Sequence, residues 1–179
     1  MDGKDMPKAG AGEVFERYEV IDDIIYDMSP PPSSEHQSVV INLATEFRNY
    51  LRGKTCRVFP GPFGVWMTDK EREHVEPDIT IVCDPAKIQF RGCVGVPDMV
   101  VEVLSPSTAL KDKSIKLRLY RRSGVREYWI IDPVHELVEV YQLDGNTFTE
   151  PKVYGRDDMV SVGIFDDLDI SLGGVFETL

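Results

Sequence analysis

The chain has 179 residues, of which 42% are hydrophobic and 28% charged, and its formal net charge at pH 7 is -11. This length and composition indicate a globular protein with a sizeable core. The negative charge argues against general avidity for nucleic acids, because phosphate is repelled at long range. No apolar stretch approaches the ~20 residues that span a bilayer, and the start has no apolar signal region. We therefore expect a cytoplasmic location and no membrane partner.

The domain organisation is expected to be simple. Residues 1–12 are small and polar and predict a flexible tail, while residues 13–179 are expected to form a single domain. The three cysteines, Cys56, Cys83 and Cys93, show no CxxC spacing, and the first two border apolar runs. We expect them to be core thiols rather than parts of a zinc site or a disulfide framework.

The first predicted elements are a hairpin and a helix. Residues 17–30 alternate in polarity around Asp22-Asp23, which indicates two strands and a tight turn. The prolines and serines that follow suit a helix start, and Gly53 suits its end. Between them, four side chains recur at helical spacing: His36, Val40, Leu43 and Phe47.

Strands dominate the rest of the chain. Apolar runs at 56–68, 77–83 and 97–104 predict strands, and the third is followed by a helix that ends at Gly124. Further strands follow, with Asp144-Gly145 as a hairpin turn. This order predicts an α/β (α+β) fold with a central mixed sheet flanked by helices, in which one helix crosses over between two strands.

Two carboxylates interrupt the apolar strands. Glu102 lies inside the run MVVEVL and Asp78 begins the run DITIV. An ionised carboxylate in such a strand is costly unless it meets a cation, either Lys/Arg or a metal. Two acids on neighbouring strands would repel each other unless a divalent ion lay between them, and carboxylate oxygens favour Mg²⁺ or Mn²⁺ over zinc.

The helix after Glu102 offers a lysine to the same site. Asp112, Lys116 and Tyr120 are spaced four residues apart and form one stripe along the helix. Lys116 could reach Glu102 and neutralise charge on a phosphate or orient water. It could equally snorkel to solvent or pair with Asp112.

The same helix is rich in positive charge. Residues 111–126 hold seven basic side chains and a single acid. This run is either a solvated helix face or a locally positive surface for DNA phosphates. The candidates for phosphate contacts are Lys111, Lys113, Arg118, Arg121 and Arg122.

The order of these segments resembles the Uma-type restriction endonuclease family, a branch of the PD-(D/E)XK nuclease superfamily. The resemblance is carried by PDITIV, PDMVVEVLSPST, KDKSIKLRLYRRSGVREYWIIDP and LVEVYQLDGNTF, and it covers roughly residues 15–177. It implies a restriction-endonuclease-like fold with an N-terminal hairpin. It also implies a divalent-metal-dependent DNA endonuclease, which works by analogy as a homodimer.

The resemblance implies a role for each matching residue. Asp78 corresponds to the motif aspartate and Glu102 to the second acid, so both would bind Mg²⁺ or Mn²⁺. The superfamily's usual lysine is absent, since Leu104 occupies its position, and Lys116 on the helix would replace it. His36 matches the first-helix position that completes the site. In the hairpin, Asp22-Asp23 replaces the Gly-Glu pair that the family often has.

Two other functions remain open at this point. The chain could be a catalytically inactive binding module of nuclease fold, in which Glu102 and Lys116 form a structural ion pair. It could also hydrolyse a small phosphorylated ligand rather than DNA.

Overall fold

The architecture is seen in a computed structural model of the chain, which describes residues 17–28, 31–68 and 73–177. The expected flexible tail, residues 1–12, lies outside these described residues. The chain begins with a hairpin of strands β1 (Tyr18–Ile21) and β2 (Ile24–Asp27), followed by helix α1 (Ser34–Tyr50). Asp22 and Asp23 both have positive φ angles, as a tight hairpin turn requires. Both predicted elements are therefore confirmed.

Helix α1 begins where the sequence predicts. The Ser33 hydroxyl accepts a hydrogen bond from the His36 backbone N–H and so caps the helix. The buried face of the helix includes Leu43 and Phe47, and it packs on one side of the central sheet.

A seven-stranded mixed sheet forms the centre of the molecule. Along it the strands are ordered β11–β10–β9–β8–β5–β3, and β12 pairs with β10 beside β11. Their bounds are β3 Arg57–Pro60, β5 Ile79–Val82, β8 Met99–Val103, β9 Glu127–Asp132, β10 Leu137–Asp144, β11 Thr147–Phe148 and β12 Lys152–Gly155. Strand β8 pairs antiparallel with β5 and parallel with β9, and the other pairs are antiparallel.

The parallel pair requires a crossover, and a helical segment supplies it. Residues Lys111–Lys116 are π-helical and continue directly into α2 (Leu117–Ser123), which ends at Gly124 in the left-handed conformation. This crossover was predicted, whereas its π-helical first part was not.

Two smaller sheets complete the fold. One consists of β4 (Gly64–Trp66), β7 (Gly92–Val94) and β6 (Ile88–Gln89), with a short 3-10 helix, Pro85–Lys87, before β6. The other pairs β13 (Met159–Ser161) with β14 (Asp169–Ser171) and leads into α3 (Leu172–Val175). No helix in the described ranges has the length and apolar character needed to cross a membrane.

The central sheet buries a hydrophobic layer on each face. Phe47 of α1 and Trp129 of β9 meet in one layer, and Tyr120 of the crossover helix packs on Tyr128 of β9 in the other. Because side chains alternate along a strand, Glu102 faces the second layer, on the side of the crossover helix.

The expectation for the cysteines is wrong in part. Cys56 and Cys83 form a disulfide, while Cys93 is a buried free thiol. The reason is the register of β3 on β5, in which Arg57 lies opposite Val82. The next pair in this register is Cys56 and Cys83, so the two cysteines face each other across neighbouring strands. Their separation of 27 residues in the chain gives no hint of this.

Candidate active site

The two interrupting carboxylates lie opposite each other in the sheet. Strands β5 and β8 are antiparallel, with Ile79 opposite Val101. Extending this register by one residue places Asp78 opposite Glu102, and residues opposite in an antiparallel pair have Cβ atoms about 5 Å apart. Both residues line one pocket of about 1090 Å³. The sheet therefore brings together two acids that are 24 positions apart in the sequence.

Asp78 is held by the backbone and by the first helix. Its Oδ2 accepts a hydrogen bond from the Val103 N–H at 2.8 Å and lies 3.2 Å from Nε2 of His36. The Asp78 side chain remains 25% exposed. Burial opposes a charge on His36, but the hydrogen bond and the negative charge of Asp78 outweigh it and raise the pKa of the imidazole. His36 thus contacts Asp78 from α1.

Lys116 lies at the centre of a buried ionic cluster. Its Nζ is 2.9 Å from Oε1 of Glu102, 2.8 Å from Oε1 of Glu19 and 3.7 Å from Oδ1 of Asp112. The Lys116 side chain is only 3% exposed. Burial disfavours its charge, but the surrounding carboxylates raise its pKa well above the ordinary value, so the ammonium stays protonated. The helical stripe of Asp112, Lys116 and Tyr120 is buried, so Lys116 does not extend to solvent.

Glu19 is a member of this cluster that the sequence reasoning missed. Its Oε1 also accepts the Glu76 N–H at 3.1 Å, and its Oε2 binds Nζ of Lys111 at 2.7 Å. Burial opposes the charge of Glu19, but the two lysines outweigh it and lower its pKa to about 2. The sequence does indicate that Glu19 is buried. Side chains two apart on a strand lie on the same face, so Glu19 shares the buried face of β1 with Ile21.

The π-helical turn explains how one glutamate binds two lysines. Residues five apart on an ideal α-helix point about 140° away from each other, since each residue turns the helix by about 100°. In a π-helix the hydrogen bonds run from i to i+5, which brings such residues to the same side. Lys111 and Lys116 lie at the two ends of the π-helical segment, and both reach Glu19.

The cluster holds more carboxylates than ammonium groups. Glu102 is buried beside Asp112, Asp78 and Glu19, and Lys116 is the nearby cation that all but Asp78 contact. Burial, together with these negative charges, raises the pKa of Glu102 well above its ordinary value despite Lys116. Burial also raises the pKa of Asp112. Its Oδ1 is buried and accepts no hydrogen bond within the part of the chain that the structure describes.

The pocket as a whole also contains more carboxylates than cationic side chains. Among the described residues that line it, carboxylates outnumber Lys and Arg side chains by six to three. The carboxylates belong to Asp27, Glu35, Glu76, Asp78, Glu102 and Asp112, and the cations to Arg17, Lys111 and Lys116. Each of these cations lies in an ion pair with a glutamate.

One oxygen of Glu102 and one of Asp78 accept no hydrogen bond from the described residues. Within the described ranges, the hydrogen bonds to Glu102 come from Lys116 and Tyr120 and both go to Oε1, while those to Asp78 go to Oδ2. Oε2 of Glu102 and Oδ1 of Asp78 are thus the oxygens that face no described donor. No three His, Cys, Asp or Glu side chains in the described ranges are grouped as a ready-made metal site.

The five candidates for phosphate contacts do not form one uniform surface. Lys111 is the partner of Glu19, Lys113 lies 2.5 Å from Glu139, and Arg122 pairs with Asp22 and Glu73. Arg118 and Arg121 are exposed on α2. The acidic body of the protein therefore engages three of the five cations.

The fold and the site together define a class. A central mixed sheet flanked by helices is the arrangement of a restriction-endonuclease-like protein, and here it carries two facing acids, while the lysine beside them comes from the crossover helix rather than from the strand. The sequence matches the Uma2 family model, described as "Putative restriction endonuclease", over residues 13–173. The chain therefore belongs to the Uma2 family, and the family resemblance seen in the sequence is confirmed.

Two relatives and one solved structure are similar to the chain. Two uncharacterized proteins of Synechocystis sp. are each 27% identical to the chain, one over 164 residues and the other over 117 residues. The alignments cover 89% and 64% of this chain, and 85% and 66% of the relatives. The crystal structure of a "putative nuclease belonging to DUF820" from Anabaena variabilis superposes with a TM-score of 0.73 at 21% identity. The superposition covers 92% of this chain and 92% of the other chain. This likeness confirms the predicted fold class.

Proposed function

We propose that this chain is a divalent-metal-dependent nuclease that hydrolyses phosphodiester bonds in DNA. The observation that carries the proposal is the register of β5 on β8, which sets Asp78 opposite Glu102 in a pocket with an excess of carboxylates. Family membership supports the same class of reaction, since the family's description names a restriction endonuclease.

The residues present suit Mg²⁺ or Mn²⁺. Both ions prefer carboxylate oxygens, and Mg²⁺ in phosphate-processing sites is usually held by one or two carboxylates, with water and substrate phosphate as further ligands. Asp78 and Glu102, which both line the pocket, would supply this pair. A divalent ion there would neutralise charge on the scissile phosphate and lower the pKa of a bound water.

The other residues of the site have separate roles in this proposal. His36 and the Val103 N–H fix the carboxylate of Asp78, and such outer contacts commonly set metal affinity. Lys116 presents its ammonium beside Glu102, where it would neutralise phosphate charge or orient the attacking water. The Tyr120 hydroxyl donates to Glu102 at 2.6 Å and fixes that acid.

The DNA partner is proposed to contact the exposed cations of α2. Arg118 and Arg121 are accessible for phosphate contacts, whereas Lys111, Lys113 and Arg122 would first have to leave their carboxylates. A homodimer with two active sites could cut both strands of a duplex, and we propose it by analogy with other such enzymes.

One observation favours a second candidate function. Lys116 already neutralises Glu102 at 2.9 Å, and Tyr120 completes the hydrogen bonding of the same oxygen. A nuclease fold that uses this ion pair only for structure would be a binding module without catalysis.

Cleavage assays separate the two functions. The purified protein is incubated with plasmid, linear duplex and single-stranded DNA, with Mg²⁺, with Mn²⁺ or with EDTA. We expect cleavage with either metal and none with EDTA, and Asp78→Asn should abolish it. Binding of DNA without cleavage under every metal condition would favour the binding module.

A further inference from the structure

Glu19 has an unusual position for a carboxylate so close to a nuclease site. Its side chain is completely buried, yet it lies on the N-terminal hairpin, far in sequence from Asp78 and Glu102. Its contacts are with donors, since Oε1 accepts from Lys116 and the Glu76 N–H while Oε2 accepts from Lys111. Both oxygens are therefore in use, which makes Glu19 unsuited to bind a metal.

Lys116 and a metal ion would need the same acid. The ammonium lies 2.9 Å from Oε1 of Glu102 and 2.8 Å from Oε1 of Glu19, so it is shared almost equally between the two glutamates. A divalent ion on Glu102 would repel an ammonium at this distance. The ammonium would be costly to leave buried without a partner, so it needs a second carboxylate.

We propose that Glu19 is a positioning residue, which holds the ammonium of Lys116 in the site when a metal ion replaces that ammonium on Glu102. The inference rests on the proposed function. Glu19 suits the role because Lys111 and the Glu76 N–H hold its carboxylate in place independently of Lys116. Its low pKa, about 2, keeps it charged at every pH at which a nuclease works. The π-helical turn keeps both lysines on the side of Glu19.

The role predicts a specific coupling between two substitutions. In Glu19→Gln the ammonium of Lys116 loses its alternative carboxylate, keeps only a neutral amide oxygen there, and remains on Glu102, where it competes with the metal. We expect the affinity for Mn²⁺, measured by titration calorimetry, to fall about tenfold, which corresponds to ~1.4 kcal/mol. In Lys116→Met the competitor is removed, and we expect the affinity to rise severalfold. In the Lys116→Met background, Glu19→Gln should change the affinity by less than about twofold.

Controls distinguish positioning from simple loss of charge. Glu76→Gln removes another pocket carboxylate, but one that pairs with Arg17 rather than with Lys116. It should weaken Mn²⁺ binding equally in the presence and absence of Lys116. Circular dichroism and thermal unfolding establish that each variant is folded. If Glu19→Gln does not fold, the test relies on Lys116→Met alone. In that variant Glu19 still has Lys111 as its partner, and Glu102 still accepts a hydrogen bond from Tyr120.

The outcomes separate this inference from the proposed function. If the wild-type protein takes up no Mn²⁺, the proposed function fails and the inference fails with it. If the wild-type protein binds Mn²⁺ but Glu19→Gln has the same effect with and without Lys116, only the inference fails. An unchanged or lower affinity in Lys116→Met would also overturn it.

Discussion

At the scale of single residues, the surroundings of Glu102 disfavour its negative charge. Glu102 is buried among other carboxylates, and this environment raises its pKa well above the ordinary value. Its partners Lys116 and Tyr120 both have other neighbours, since Lys116 also binds Glu19 and Tyr120 packs on Tyr128. The charge of Glu102 therefore contributes little net stability, as is common for buried ion pairs.

Replacing this charge should separate stability from activity. In Glu102→Gln the amide oxygen still accepts hydrogen bonds from Tyr120 and Lys116, so we expect the free energy of unfolding to change by no more than about 1 kcal/mol. Metal-dependent cleavage should fall by at least about 100-fold, because a ligand is lost. Thermal unfolding and the cleavage rate measure the two effects. Cleavage within tenfold of the wild-type rate would remove Glu102 from the proposed site.

The imidazole of His36 should act on the metal through Asp78. Its Nε2 lies 3.2 Å from the Asp78 carboxylate. We expect His36→Ala to weaken Mn²⁺ binding about 10-fold to 100-fold, which is the range for outer-shell partners of metal ligands. His135→Ala is the matched control, because His135 also pairs with an aspartate, Asp132, but lies on the surface. Equal affinity in both variants and in the wild type would contradict the role of His36.

At the scale of elements, much of the site could be predicted from the sequence. Asp78 and Glu102 are predictable because a carboxylate in an apolar strand is conspicuous, and Lys116 because residues four apart on a helix lie on one face. Glu19 gave the same signal in a shorter and more polar strand, where it is less conspicuous. The Cys56–Cys83 disulfide depends on strand register, and the π-helical turn on tertiary contacts, neither of which a local pattern specifies.

The N-terminal hairpin is joined to the crossover helix by Glu19, and this link should depend on pH. The pKa of Glu19 is about 2, below its ordinary value of 4.5, so the folded state binds its proton more weakly than the unfolded state. Its stabilising contribution is complete above pH 4.5 and is lost as the pH falls through about 2. The shift corresponds to roughly 3 kcal/mol.

Urea unfolding of the wild type and of Glu19→Gln between pH 2 and 6 tests this contribution. The difference in free energy of unfolding between the two proteins should be greatest above pH 4.5 and should shrink towards pH 2. A difference that does not vary with pH would show that the charge of Glu19 does not stabilise the fold.

The small sheet of β4, β6 and β7 depends on a glycine. Gly92 has a φ of +142°, and a Cβ there would lie 2.1 Å from the carbonyl oxygen of Gly64 on the paired strand. We expect Gly92→Ala to destabilise the protein by about 2–4 kcal/mol in chemical unfolding. Gly174→Ala is the control, because its Cβ would meet no atom within 4 Å. A loss below about 0.5 kcal/mol at Gly92 would contradict this packing.

At the scale of the whole molecule, the net charge of -11 and the acidic pocket belong to the same problem. Both repel a phosphodiester, and the lysines closest to the site are already bound to carboxylates. Positive charge must therefore come from elsewhere if DNA is to enter, and divalent ions at Asp78 and Glu102 would supply it where the phosphate is to react. Metal binding is thus the central claim of the proposed function.

Titration of the intact protein with Mn²⁺ by calorimetry tests this claim most directly, with Asp78→Asn and Glu102→Gln measured in parallel. We expect saturable binding to the wild type at or below millimolar metal, and loss of that binding in both variants. No uptake by the wild type at millimolar Mn²⁺, or undiminished binding by both variants, would contradict it.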